Sequence, residues 1–79
     1  MMMPMGNRMM NRDYVASSNI TSVGYDHAAQ TLEVEFKNGS IYQYFNVEQG
    51  MFDQLMASAS KGQFLNTYIR SGYPYSRVG

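Results

Sequence analysis

Between Thr31 and Phe36, apolar and polar positions alternate strictly: Leu32, Val34 and Phe36 are separated by Glu33 and Glu35. Successive side chains of a strand point to opposite faces, so this run predicts a strand over 31–36 with one buried face and one wet face. Lys37-Asn38-Gly39-Ser40 follows, and Asn-Gly between two such runs is a strong hairpin signal. The chain then returns as a strand over 41–45. Upstream, 20–25 reads as a short strand with Thr21, Val23 and Tyr25 on one face, and 26–30 reads as a loop. After Phe45 the period changes. Phe52, Leu55, Met56 and Ala59 fall on one side of a helix, which predicts a helix over 48–61. Asn46 suits its N-cap, Lys61 its C-terminal end, and Gly62 a left-handed terminating position. Phe64, Leu65, Tyr68 and Ile69 repeat the spacing and predict a second short helix over 63–71, ended by Gly72. The last residues, 73–79, are expected to be extended. The predicted class is α+β, a three-stranded antiparallel meander with two helices packed on its apolar face.

The direction of Tyr42 and Tyr44 depends on the hairpin turn. A two-residue Asn38-Gly39 loop sets Phe36 opposite Ile41 and puts both tyrosines on the outer face with Glu33 and Glu35. A three-residue loop with a glycine bulge shifts the register by one and brings them to the face of Leu32, Val34 and Phe36. The first register turns the Gln43 amide toward the core, where an unpaired amide is costly, so the second is preferred. Outward tyrosines make a stacking platform; inward ones make core.

Composition narrows the picture. Seventy-nine residues form one small domain with a modest core. Six basic and six acidic residues cancel, so any nucleic-acid binding rests on local clustering rather than on overall charge. The absence of cysteine excludes a disulfide framework and a thiolate metal site, and fits a reducing compartment. Residues 1–13 are expected to be a disordered Met-rich tail and 14–79 a single domain. The Met-rich run is broken by Pro4, Gly6, Asn7 and Arg8, which suits neither a signal peptide nor a membrane span. A cytoplasmic protein with no membrane attachment is expected.

Catalytic chemistry finds little support. His27 is the one histidine and stands beside Asp26 in a loop, with no second imidazole to complete a zinc site. No serine sits in a nucleophile-elbow motif, and no glycine-rich phosphate loop is present. Glu33 and Glu35 share a strand face, an arrangement that reads as solvation. No enzyme activity, metal or cofactor is expected. Binding chemistry is better supplied. The stretch 61–77 carries Lys61, Arg70, Arg77, Tyr68, Tyr73 and Tyr75 and no acidic residue. Cations interleaved with aromatic rings provide charge for phosphates and π-faces for bases, although Tyr68 also lies on the apolar helix stripe.

The ordered blocks Val15-Ala-Ser-Ser-Asn-Ile20, Val23-Gly-Tyr-Asp26, Thr31 to Phe36, Tyr42-Gln-Tyr44 with Val47, Ala57 to Gly62, and Phe64-Leu-Asn66 with Ile69-Arg70 resemble the KTSC domain. That family takes its name from a C-terminal domain of some lysyl-tRNA synthetases, and it also occurs as small stand-alone proteins of bacteria and phages. The resemblance covers about 14–75. It implies the α+β fold and, by association with a tRNA synthetase, an RNA-binding role. One departure is Glu48, where the family often has a proline after the valine, which leaves the helix start less defined. The resulting expectation is a non-catalytic binding module whose partner is RNA or another single-stranded nucleic acid. Lys61, Arg70, Tyr73, Tyr75 and Arg77 would make the contacts, joined by Tyr42 and Tyr44 if they face outward. The alternatives are a protein-interaction or self-assembly module, and a pocket for a small nucleotide-like ligand between sheet and helices.

Overall fold

The structure, a computed structural model, describes residues 10–79. Five antiparallel strands follow one another across a single sheet: β1 (Asp13–Tyr14), β2 (Ile20–Asp26), β3 (Thr31–Phe36), β4 (Ile41–Tyr44) and β5 (Tyr75–Arg77). The helical layer is inserted between β4 and β5. It consists of α1 (Gln49–Ala57), α2 (Lys61–Phe64) and a π-helical turn (Leu65–Ile69) that continues α2. Val23, Leu32 and Val34 of the sheet meet Leu55, Leu65 and Ile69 of the helices in one fully buried core. No described helix is long and apolar enough to cross a membrane.

The expected three strands are present, and the sheet gains one strand at each edge. β1 is two residues long, too short to show a period. β5 is exposed at all three residues, so burial imposes no alternation on its sequence. Within β2 the pairing slips between Ile20, opposite Phe36, and Ser22, opposite Glu35. This bulge at Thr21 sends Ile20 rather than Thr21 into the core.

The hairpin uses the three-residue loop. Phe36 N–H donates to the Ser40 carbonyl at 2.9 Å, and Gly39 takes the left-handed φ of +93° that closes the bulge. Val34 therefore opposes Tyr42 and Leu32 opposes Tyr44, which puts both tyrosines on the helix-covered face. Asn38 fixes the turn by accepting from the Ser40 N–H at 3.0 Å and the Ser40 hydroxyl at 2.7 Å.

The helix ends depart from the sequence pattern. Asn46 is not the N-cap; it adopts a left-handed φ of +63°, and Glu48 is the first flanking residue of α1. α1 stops at Ala57, not at 61. The Ser58 hydroxyl accepts from the Ser60 N–H at 3.1 Å, the local side-chain bond by which serine competes with helical pairing. Gly62 consequently lies inside α2 rather than terminating α1.

The opposite face of the sheet is not simply wet. Glu33 is completely buried, although its position in the alternation predicts solvation. Gln43 donates to its Oε1 at 2.8 Å, and the Arg12 guanidinium pairs with its Oε2. Arg12 also bonds the Ser22 hydroxyl at 2.9 Å and lies 3.7 Å from Glu35. Gly24 makes room for this cover, since a Cβ there would lie 2.4 Å from the Asn11 carbonyl oxygen. Residues 10–13 of the expected tail thus pack on the sheet, while the expectation for 1–9 lies outside the described residues.

Candidate functional site

β4 and β5 place three tyrosines side by side. Tyr44 stands opposite Tyr75 in the register, and Tyr42 opposite Arg77. The rings of Tyr42 and Tyr44 are stacked with centroids 6.4 Å apart, and Tyr75 leans on both at 5.9 Å. Phe36 meets Tyr42 edge-on at 5.8 Å. Offset and tilted pairs of this kind suit the ring quadrupole.

The helical layer covers only part of this aromatic surface. Between it and the hairpin turn lies an open cleft of about 660 Å³, lined by the three tyrosines, Lys37, Asn66 and Arg70 among others. Among the described residues no carboxylate lines it. Arg70 is delivered by the π-helical turn: its N–H reaches back five residues to the Leu65 carbonyl at 2.9 Å. Such turns reset the face on which the following residue emerges and recur at functional sites. Its guanidinium donates to Asn66 Oδ1 at 2.8 Å and keeps further donors unused in that bond.

Tyr44 is the chemically pointed residue. It is only 2% exposed, lines the cleft, and its hydroxyl has no hydrogen-bond partner among the described residues. Burial pushes its pKa up while the charge of Arg70 pulls the other way, so the hydroxyl is protonated at neutral pH and sits within the field of that cation. A buried hydroxyl without a partner costs about 1–3 kcal/mol, which a polar ligand atom would relieve. We expect Tyr44→Phe to keep or slightly raise the thermal midpoint while weakening ligand binding about fivefold, the loss of one modest hydrogen bond. Parallel melting curves and titrations check this, and a lowered midpoint with unchanged binding would contradict it.

The residues singled out from sequence divide into groups. Arg70, Tyr75, Tyr42 and Tyr44 converge on the cleft. The two β4 tyrosines do so while facing inward: Tyr42 is half-buried, and Tyr44 is buried at the base of the cleft. Arg77 is exposed at the end of β5, does not line the cleft, and donates to the Gly79 carbonyl at 2.8 Å. Tyr73 points elsewhere: its hydroxyl lies 3.0 Å from Glu48, and burial together with that bond raises its pKa. Lys61 borders a separate depression, with its Nζ donating to the Ser58 carbonyl at 2.9 Å. Lys37, which the sequence places only in the hairpin turn, also lines the cleft. His27 stays exposed, against Gln49 and the edge of Tyr25.

A five-stranded antiparallel meander with a helical layer on one face and an aromatic cleft beside it defines a small α+β domain. The chain belongs to the KTSC domain family, whose sequence profile matches residues 16–73. The crystal structure of a KTSC domain protein from Yersinia pestis superposes with a TM-score of 0.82 at 34% identity, covering 87% of this chain and 97% of that one. An uncharacterized protein of Stutzerimonas stutzeri is 36% identical over 70 residues, 87% of this chain and 99% of its own length. A lysine–tRNA ligase of Nostoc punctiforme is 34% identical over 61 residues, 77% of this chain but 11% of the ligase.

Proposed function

We propose that this protein is a non-catalytic binding module that holds a short stretch of single-stranded RNA in the aromatic cleft. One observation carries the reading: three tyrosine rings, Arg70 and Lys37 share a cleft that no carboxylate among the described residues lines. The exposed parts of Tyr42 and Tyr75 can accept bases by stacking irrespective of sequence, and the two cations supply charge for phosphates. A chain of zero formal net charge gains no general attraction to nucleic acid, so this local arrangement has to supply it. The presence of a similar segment in lysine–tRNA ligases is an association in the same direction. The cleft volume also falls in the range of small-molecule sites, which keeps a free nucleotide as the second reading.

The test is fluorescence anisotropy with a labelled tetranucleotide in RNA and DNA forms over a salt series. Two phosphate contacts on a single strand predict a log–log salt slope of about −1.4 or steeper. RNA binding with that slope supports the reading. Equal binding of the DNA form would assign the contacts to base and phosphate rather than to the ribose 2′-hydroxyl, and a flat salt response would contradict the role of Arg70 and Lys37.

A further inference from the structure

Beside the aromatic cleft lies a second depression of about 530 Å³, and the two share Asn19, Gly62 and Asn66 as common walls. The shared walls make the two depressions immediate neighbours. Their linings differ in kind. The first is aromatic and carries two cations. Among the described residues, the second has no aromatic ring and no carboxylate, and Ser17, Ser18, Ser60 and Gln63 accompany one cation, Lys61. Hydroxyls and amides beside one ammonium suit a sugar and a phosphate, whereas the tyrosines suit a base. Lys61 spends one hydrogen on the Ser58 carbonyl and retains two donors. Asn66 accepts from Arg70 through Oδ1, which leaves its amide N–H groups for the shared wall.

We infer that the two adjacent depressions together seat two successive nucleotides, the base of one against the tyrosines and the phosphate of the next at Lys61. This deepens the proposed function and rests on it: it makes the ligand an oligonucleotide rather than a free nucleotide. Gly62 lies on the wall that the two depressions share. A Cβ there would stand 3.5 Å from the Asn19 amide nitrogen and 3.6 Å from the Ser17 hydroxyl, ordinary contact that leaves little room for anything larger.

Adenosine monophosphate and the 5′-phosphorylated adenylyl dinucleotide are titrated into the full chain at low salt and followed by amide NMR, in the unaltered protein, Lys61→Ala, Gly62→Val and Arg70→Ala. The dinucleotide binds about tenfold tighter than the mononucleotide, the increment of one charge-assisted phosphate contact. Lys61→Ala removes that increment and leaves mononucleotide binding unchanged, which also serves as the folding control, whereas Gly62→Val, on the wall shared with the aromatic cleft, weakens the dinucleotide more than the mononucleotide. Arg70→Ala weakens both ligands. Equal affinity for the two nucleotides, with Lys61→Ala without effect, overturns the two-nucleotide seat and leaves a mononucleotide cleft standing. No binding of either ligand overturns the nucleic-acid reading itself.

Discussion

Replacing Arg12 by alanine lowers the unfolding free energy by about 3 kcal/mol, because it strands a buried carboxylate. In a domain of this size that corresponds to a fall of more than about 10 °C in the thermal midpoint. Glu33 has no contact with water, and its two oxygens are served by Gln43 and by the Arg12 guanidinium. With the guanidinium gone, Gln43 alone remains on Glu33, and an amide does not balance a charge. The Arg12 side chain itself is only 18% exposed, so the pair belongs to the buried kind and not to the surface pairs worth little. Adding Glu33→Gln to Arg12→Ala restores a large part of the loss, since a neutral amide needs hydrogen bonds but no counter-charge. Urea unfolding monitored by circular dichroism measures both variants. A loss below about 1 kcal/mol for Arg12→Ala would place the pair among ordinary surface contacts.

Arg70→Ala weakens single-stranded RNA binding about 30-fold, or about 2 kcal/mol, the value of a charge-assisted hydrogen bond lost at a phosphate. Stability changes little, because Arg70 is exposed and its one side-chain bond runs to Asn66 on the neighbouring helical turn. Arg70→Lys recovers part of the affinity: it keeps the charge and loses the planar fork that allows paired contacts. Anisotropy titrations at fixed salt separate the three proteins. Equal affinity of the alanine variant and the unaltered chain would remove Arg70 from the interface.

The central hairpin was legible because burial on one face imposes a period of two on β3. The inward turn of Tyr42 and Tyr44 was legible through Gln43, whose amide needed a polar neighbour and has Glu33 on the opposite face. The edge strands carried no such imprint. β5 is joined to β4 by backbone pairing with every side chain exposed, and β1 consists of two residues. The burial of Glu33 was hidden for a different reason. Its partner Arg12 is 21 positions away, in a segment whose composition reads as tail, and nothing local to Thr31–Phe36 distinguishes a paired acid from a solvated one. The helix boundaries moved because the Ser58 hydroxyl takes the Ser60 N–H locally, which periodicity of apolar residues does not register.

For the candidate site, residue type was legible and position was not. The concentration of tyrosine and cation between 61 and 77 is a property of the string. Which of those residues meet is decided by β5 folding back beside β4. That pairing brings Tyr75 to Tyr44, whereas the hydrogen bond to Glu48 draws Tyr73 toward the start of α1. Lys37 enters the cleft only because the hairpin turn lies over its end, a contact between elements remote in sequence.

The central claim is that the aromatic cleft is a single-strand binding site. Its most direct test is an amide NMR titration of the full chain with a short single-stranded RNA, first at low and then at moderate salt. Shifts concentrated on Lys37, Tyr42, Tyr44, Arg70 and Tyr75, and reversed by salt, are the predicted result. A silent spectrum at millimolar RNA, or shifts centred instead on the Arg12–Glu33 face of the sheet, would contradict it.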